Sequence, residues 1–168
     1  MARKRVAPTR LSSWLAGGRA ALVACLACTG APRTASTEPT PATAPATGEV
    51  ARLAALVNTH RIEAGCRALR WDDGVARVAR AHSGDMAARG FFSHKNPDGE
   101  SPFDRLRKAG ITYSAAAENI AYGTRDAERV LALWLKSPPH RANIENCEYT
   151  KQGVGAERGR WTQVLITR

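Results

Sequence analysis

Long apolar runs are missing from this chain of 168 residues. No stretch approaches the roughly 20 consecutive apolar residues of a membrane-spanning helix, so a transporter built from such helices is excluded. Aromatic side chains are scarce, at 6%, which leaves too few for base-stacking platforms. Acidic residues are outnumbered, 15 against 25 Lys and Arg, giving a formal charge of +10. Familiar local signatures of catalysis are absent as well. There is no His-Glu-x-x-His helix, no Gly-x-Ser-x-Gly turn and no glycine-rich phosphate loop, so no short motif announces a zinc, serine or nucleotide site. Only four cysteines and four histidines can supply thiol or imidazole chemistry. What remains, 43% hydrophobic residues over this length, is enough for one folded domain and a tail.

The charge divides the chain. Residues 1–48 hold six basic residues and one acidic, and residues 49–168 hold nineteen and fourteen, so each part carries +5. Arg3, Lys4, Arg5 and Arg10 precede a short apolar run, Ala20 to Cys28, that ends in small residues. This is the pattern of an export signal peptide over residues 1–28. Leu22-Val23-Ala24-Cys25 resembles a bacterial lipobox, which makes Cys25 the expected lipid attachment point. Cys28 competes for that role, and cleavage nearer Ala31 would instead release a secreted protein. From Thr29 to Gly48 the chain is nearly all Thr, Ala, Pro and Ser. Without large apolar side chains it cannot offset its ordering entropy, so residues 29–48 read as a disordered tether.

The folded part is expected over residues 49–168. Val50, Leu53, Ala54, Leu56 and Val57 recur at helical spacing up to Gly65, predicting a helix over 50–64. A second helix runs from a cap at Asp73 to Gly90, with Val75, Val78, Ala79, His82 and Met86 on one face. Ser101-Pro102 opens a short third helix through Ala109, and residues 127–136 form a fourth. Ser137-Pro138-Pro139-His140 reads as a loop after it. Gly153 to Ala156 and Trp161 to Thr167 predict a closing hairpin. Helices first and strands last argue for an α+β fold.

In an exported chain, Cys66 and Cys147, the two cysteines of the folded part, are expected to pair as a disulfide. His60 reads as a surface or capping residue at a helix end, and His82 as a core histidine. His94 and His140 fall in segments read as loops, where scaffolds place functional side chains. Glu118, followed by Asn119, leads into a strand-like apolar segment that turns its carboxylate inward. Two imidazoles and a carboxylate suit a divalent metal or an acid–base pair if the fold brings them together.

Phe92-Ser93-His94, Asn96-Pro97-Asp98-Gly99, Pro102-Phe103-Asp104-Arg105, Ala117-Glu118-Asn119-Ile120-Ala121, Trp134, Ser137-Pro138-Pro139-His140-Arg141-Ala142-Asn143-Ile144, Gly153-Val154-Gly155 and Trp161-Thr162-Gln163 come in that order. Together they resemble the bacterial branch of the CAP superfamily, which takes in cysteine-rich secretory proteins, antigen 5 allergens and pathogenesis-related proteins. The resemblance covers about residues 50–168. It implies an α-β-α sandwich with a small antiparallel sheet between helical layers. It also implies a shallow cavity where eukaryotic members present two histidines and two acids. His94 matches the first of those histidines and Glu118 the acid of the Glu-Asn motif. Arg160 stands where the second histidine would be, and Ser137 displaces the second acid, while His140 belongs to the bacterial pattern. The implied cavity therefore holds His94, Glu118 and His140, with Arg160 and Trp161 at its rim. No cofactor is required, and a divalent metal such as zinc on His94, His140 and Glu118 is the tentative addition.

The function expected from this reading is an exported, membrane-tethered, monomeric binding module for a lipid or an anionic envelope component. A metal-assisted, peptidase-like hydrolase using His94, Glu118 and His140 is the alternative, and a passive structural lipoprotein a third. Nucleic acid is not an expected partner, because export removes the usual target.

Overall fold

The computed structural model describes residues 48–168. The expected signal peptide with Cys25 and Cys28, and all of the expected tether but Gly48, lie outside the described residues. The described elements are α1 (Glu49–Glu63), β1 (Arg70–Trp71), α2 (Asp73–Arg89), α3 (Pro102–Lys108), β2 (Ala115–Tyr122), α4 (Ala127–Lys136), α5 (Pro138–Glu145), β3 (Lys151–Glu157) and β4 (Arg160–Thr167). The strands form one four-stranded sheet in the order β1-β3-β4-β2, with β1 parallel to β3 and the other pairs antiparallel.

Alternation along β4 builds the sandwich. Side chains two residues apart share a face. Trp161 and Leu165 turn one way and pack with Leu53 and Val57 of α1, Val130 and Trp134 of α4, and Ile144 of α5. Val164 and Ile166 turn the other way and pack with Val75, Val78 and Ala79 of α2 and Leu106 of α3. Helices thus cover both faces, giving the α-β-α sandwich of the α+β class.

The starts of α2 to α5 each have a chemical cause. Ser101 and Asp104 form a reciprocal capping box at α3, and its hydrogen bonds hold the Asp104 carboxyl down to about 2. Asp126 caps α4 by accepting from the Arg129 amide. The cap of α2 is Asp72, accepting from the Val75 amide, and not Asp73. Asp73 is already helical and accepts the Trp71 indole N–H instead. The segment read as a loop at Ser137 to His140 opens α5. Its two prolines sit in the first helical turn, where the missing N–H has no intrahelical partner to lose.

The Cys66–Cys147 disulfide is formed, with Cα atoms 5.0 Å apart. Beside it Arg61 is fully buried. Its guanidinium donates to the carbonyls of Arg67, Ile144, Asn146 and Tyr149. A buried cation is tolerable there because several backbone acceptors replace its water, and it ties the end of α1 to the approach to β3.

Candidate functional site

Glu118 lies on β2 opposite Val164 of β4, on the sheet face covered by α2 and α3. Its side chain is only 2% exposed. One carboxylate oxygen accepts from Arg105 Nη2 of α3 at 2.7 Å. The other is 2.9 Å from His94 Nδ1 and 4.0 Å from His82 Nε2 on α2. Arg105 also donates through Nη1 to the carbonyls of His94 and Glu100, so one guanidinium holds both the acid and the loop that carries its histidine. His82 holds that loop from the other side, its Nε2 donating to the Ser93 carbonyl at 2.9 Å. Burial holds the His82 imidazole below the usual histidine range, outweighing the opposing pull of the Glu118 charge. His82 is therefore neutral at pH 7, and its Nδ1 has no partner among the described residues.

His140 is reached from the other face. Asn119, next to Glu118 and pointing the opposite way, donates to the His140 carbonyl at 3.2 Å and to Gln163 Oε1 at 3.1 Å. Asn143 of α5 donates to Asn119, while Gln163 donates to Gln152 and Gln152 to the Ala54 carbonyl. This buried amide chain crosses the sheet from α5 to α1 and fixes α5 against the β2 edge. The His140 ring bonds the Ser137 hydroxyl at 2.8 Å. Burial, with the charge of nearby His94, lowers its pKa.

The predicted residues therefore separate. His94 and Glu118 form one unit. His140 neighbours His94, while its ring bonds its own helix start. Arg160 is on the Glu118 face but pairs in register with Tyr122, four residues along β2, or roughly 13 Å at the usual strand rise. Its guanidinium lies over the Tyr122 ring at 4.7 Å. Trp161 is not a rim residue. It points to the other face, is buried among α1 and α4 side chains, and its indole donates to the Thr124 carbonyl. Period-2 alternation cannot bring it to the side of Glu118.

The tentative metal set does not fit a divalent cation. Both Glu118 oxygens are engaged, and a guanidinium already occupies the place of a counter-ion and opposes a second cation by Coulomb repulsion. Among the described residues, no group of three or more His, Cys, Asp or Glu side chains stands close enough to hold a metal ion. The arrangement can brace a loop, and it leaves the His94 side chain half exposed.

Two features were not singled out from sequence. Arg105 was part of a quoted motif but had no role, although a carboxylate turned inward demands a cation. The second is a strip of exposed aromatics. Phe92 and Tyr122 are 50% and 56% exposed, with rings 6.0 Å apart. Tyr122 continues into a groove of about 390 Å³ shared with Leu133, Arg129 and Lys136 of α4.

The family model described as the cysteine-rich secretory protein family, CAP, matches residues 54–166. The chain is 39% identical to Bacillus subtilis (strain 168) YkwD over 140 residues, covering 81% of this chain and 54% of that protein. It is also 39% identical over 113 residues to the B. subtilis membrane protein YlbC, covering 67% and 33%. Among solved structures, an extracellular protein containing an SCP domain from Bacillus anthracis superposes with a TM-score of 0.70 at 35% identity, covering 72% of this chain and 41% of that one. The chain thus spans about half or less of the length of these relatives. The family match spans nearly all of the described sandwich, and the chain belongs to the CAP, or cysteine-rich secretory protein, family.

Proposed function

We propose that the chain is an exported, membrane-tethered CAP module that binds an anionic lipid at the surface formed by Phe92, Tyr122 and Leu133, and that it works without catalysis or a bound metal. The observation that carries this reading is the pairing of exposed apolar rings with cations. Arg160 stacks on Tyr122, and Arg129 and Lys136 border the groove that Tyr122 and Leu133 share. Apolar side chains enter the acyl boundary while the cations meet anionic headgroups, and the two contributions add. Export is supported by the extracellular description of the B. anthracis relative, and the tether by the lipobox-like Leu22 to Cys25. The hydrolase reading loses support because each Glu118 oxygen is already held, one by Arg105 and the other by His94, and the Arg105 charge opposes a bound cation.

Co-sedimentation with phosphatidylglycerol vesicles, beside phosphatidylcholine vesicles, tests the proposal. Binding to the first that weakens with salt and falls at least tenfold in Tyr122→Ser supports it. Equal binding to both, or none, contradicts it.

A further inference from the structure

A second cavity opens on the other side of Arg105, between α2 and α3, with a volume of about 520 Å³. That is the size of a small-ligand pocket. Its floor is apolar, with Val78, Ala81 and Ile111, and its wall carries Arg77, Arg105 and Lys108. We infer that this groove binds a phosphate monoester, its oxyanion between Arg77 and Lys108 and its hydrocarbon on the floor.

Two observations carry the inference. Arg77 is exposed on α2, and the nearby Asp72 carboxylate is already engaged by Lys151 and Arg168. The one acid in the lining, Glu100, is paired with Lys108 and Arg105 with Glu118, so the positive balance of the groove rests on Arg77. A charged mouth over an apolar floor selects a ligand with both characters, and Arg in particular matches phosphate geometry.

This site is separate from the Tyr122 surface, and the two can fail independently. The test is calorimetric titration of the purified protein with n-hexyl phosphate, inorganic phosphate and n-hexanol, together with Arg77→Gln, Ala81→Phe and Tyr122→Ser. Ala81 is exposed, so a bulky ring there fills the groove without entering the core. Hexyl phosphate binding that weakens at least tenfold in Arg77→Gln and in Ala81→Phe, and is unchanged in Tyr122→Ser, supports the inference. Competition by phosphatidic acid vesicles identifies a lipid headgroup as the source, and lack of competition a free phosphoester. Binding indifferent to Arg77 and Ala81, equal binding of hexanol, or no binding of hexyl phosphate overturns it.

Discussion

Glu118 is nearly sealed from solvent, and a carboxylate there is stable only because Arg105 supplies the opposite charge and His94 and His82 surround it. Removing one partner of a buried pair leaves an uncompensated charge, which costs about 3–5 kcal/mol. Arg105→Met is therefore expected to lower stability by about 3 kcal/mol in urea titrations, whereas His94→Ala, at a half-exposed ring, costs less than about 1 kcal/mol. His82 adds a pH dependence. Its folded pKa is depressed, so its contribution is complete above the unfolded value near 6.5 and is lost as pH falls toward the folded value. The slope is at most about 1.4 kcal/mol per pH unit. Thermal melts between pH 7 and pH 5 should show a decline that His82→Asn flattens. At this scale the sequence was readable for single roles, such as the inward carboxylate at 118 and the core histidine at 82. It was not readable for pairings, because Arg105 and His82 reach Glu118 only after three elements have converged.

Among the elements, α2 on β3 sets the site most tightly. A Cβ at Gly153 would overlap the backbone of Val75 and Ala76, and one at Gly155 that of Ala79 and Arg80. Helix α2, and His82 with it, can lie against the strand only because both positions are glycine. Backbone cannot yield as a side chain can, so Gly155→Val should destabilise by about 3 kcal/mol, the upper part of the usual overpacking range. It should also broaden the His82 imidazole resonances in NMR spectra. Amphipathic spacing disclosed α1 and α2, which bury continuous faces, whereas the Ser101-Pro102 start disclosed α3, which buries only Leu106. The two-residue β1 is too short to have a period, and it exists because Arg70 and Trp71 find β3 beside them. The start of α5 read as a loop because two prolines were taken as breakers, when in a first helical turn they are starters.

Across the whole molecule, the disulfide and Arg61 close the same gap. Cys66 and Cys147 are separated by 81 positions, and linking them removes denatured-state entropy worth up to about 4.5 kcal/mol. Reduction should lower the urea midpoint, and Arg61→Leu, which abandons four carbonyls, should lower it further when both changes are combined. The folded part carries a modest positive charge, with Arg160, Arg129 and Lys136 beside the exposed rings. On the proposed function, ligand meets this aromatic surface while the Glu118 unit stays a brace. Titrating the isotopically labelled protein with dihexanoyl phosphatidylglycerol, below its micelle concentration, and following amide shifts tests this most directly. The expected shifts centre on Phe92, Tyr122 and Leu133, with Glu118 and His140 unmoved. Shifts centred on His94, Glu118 and His140 and sparing Tyr122 would contradict it.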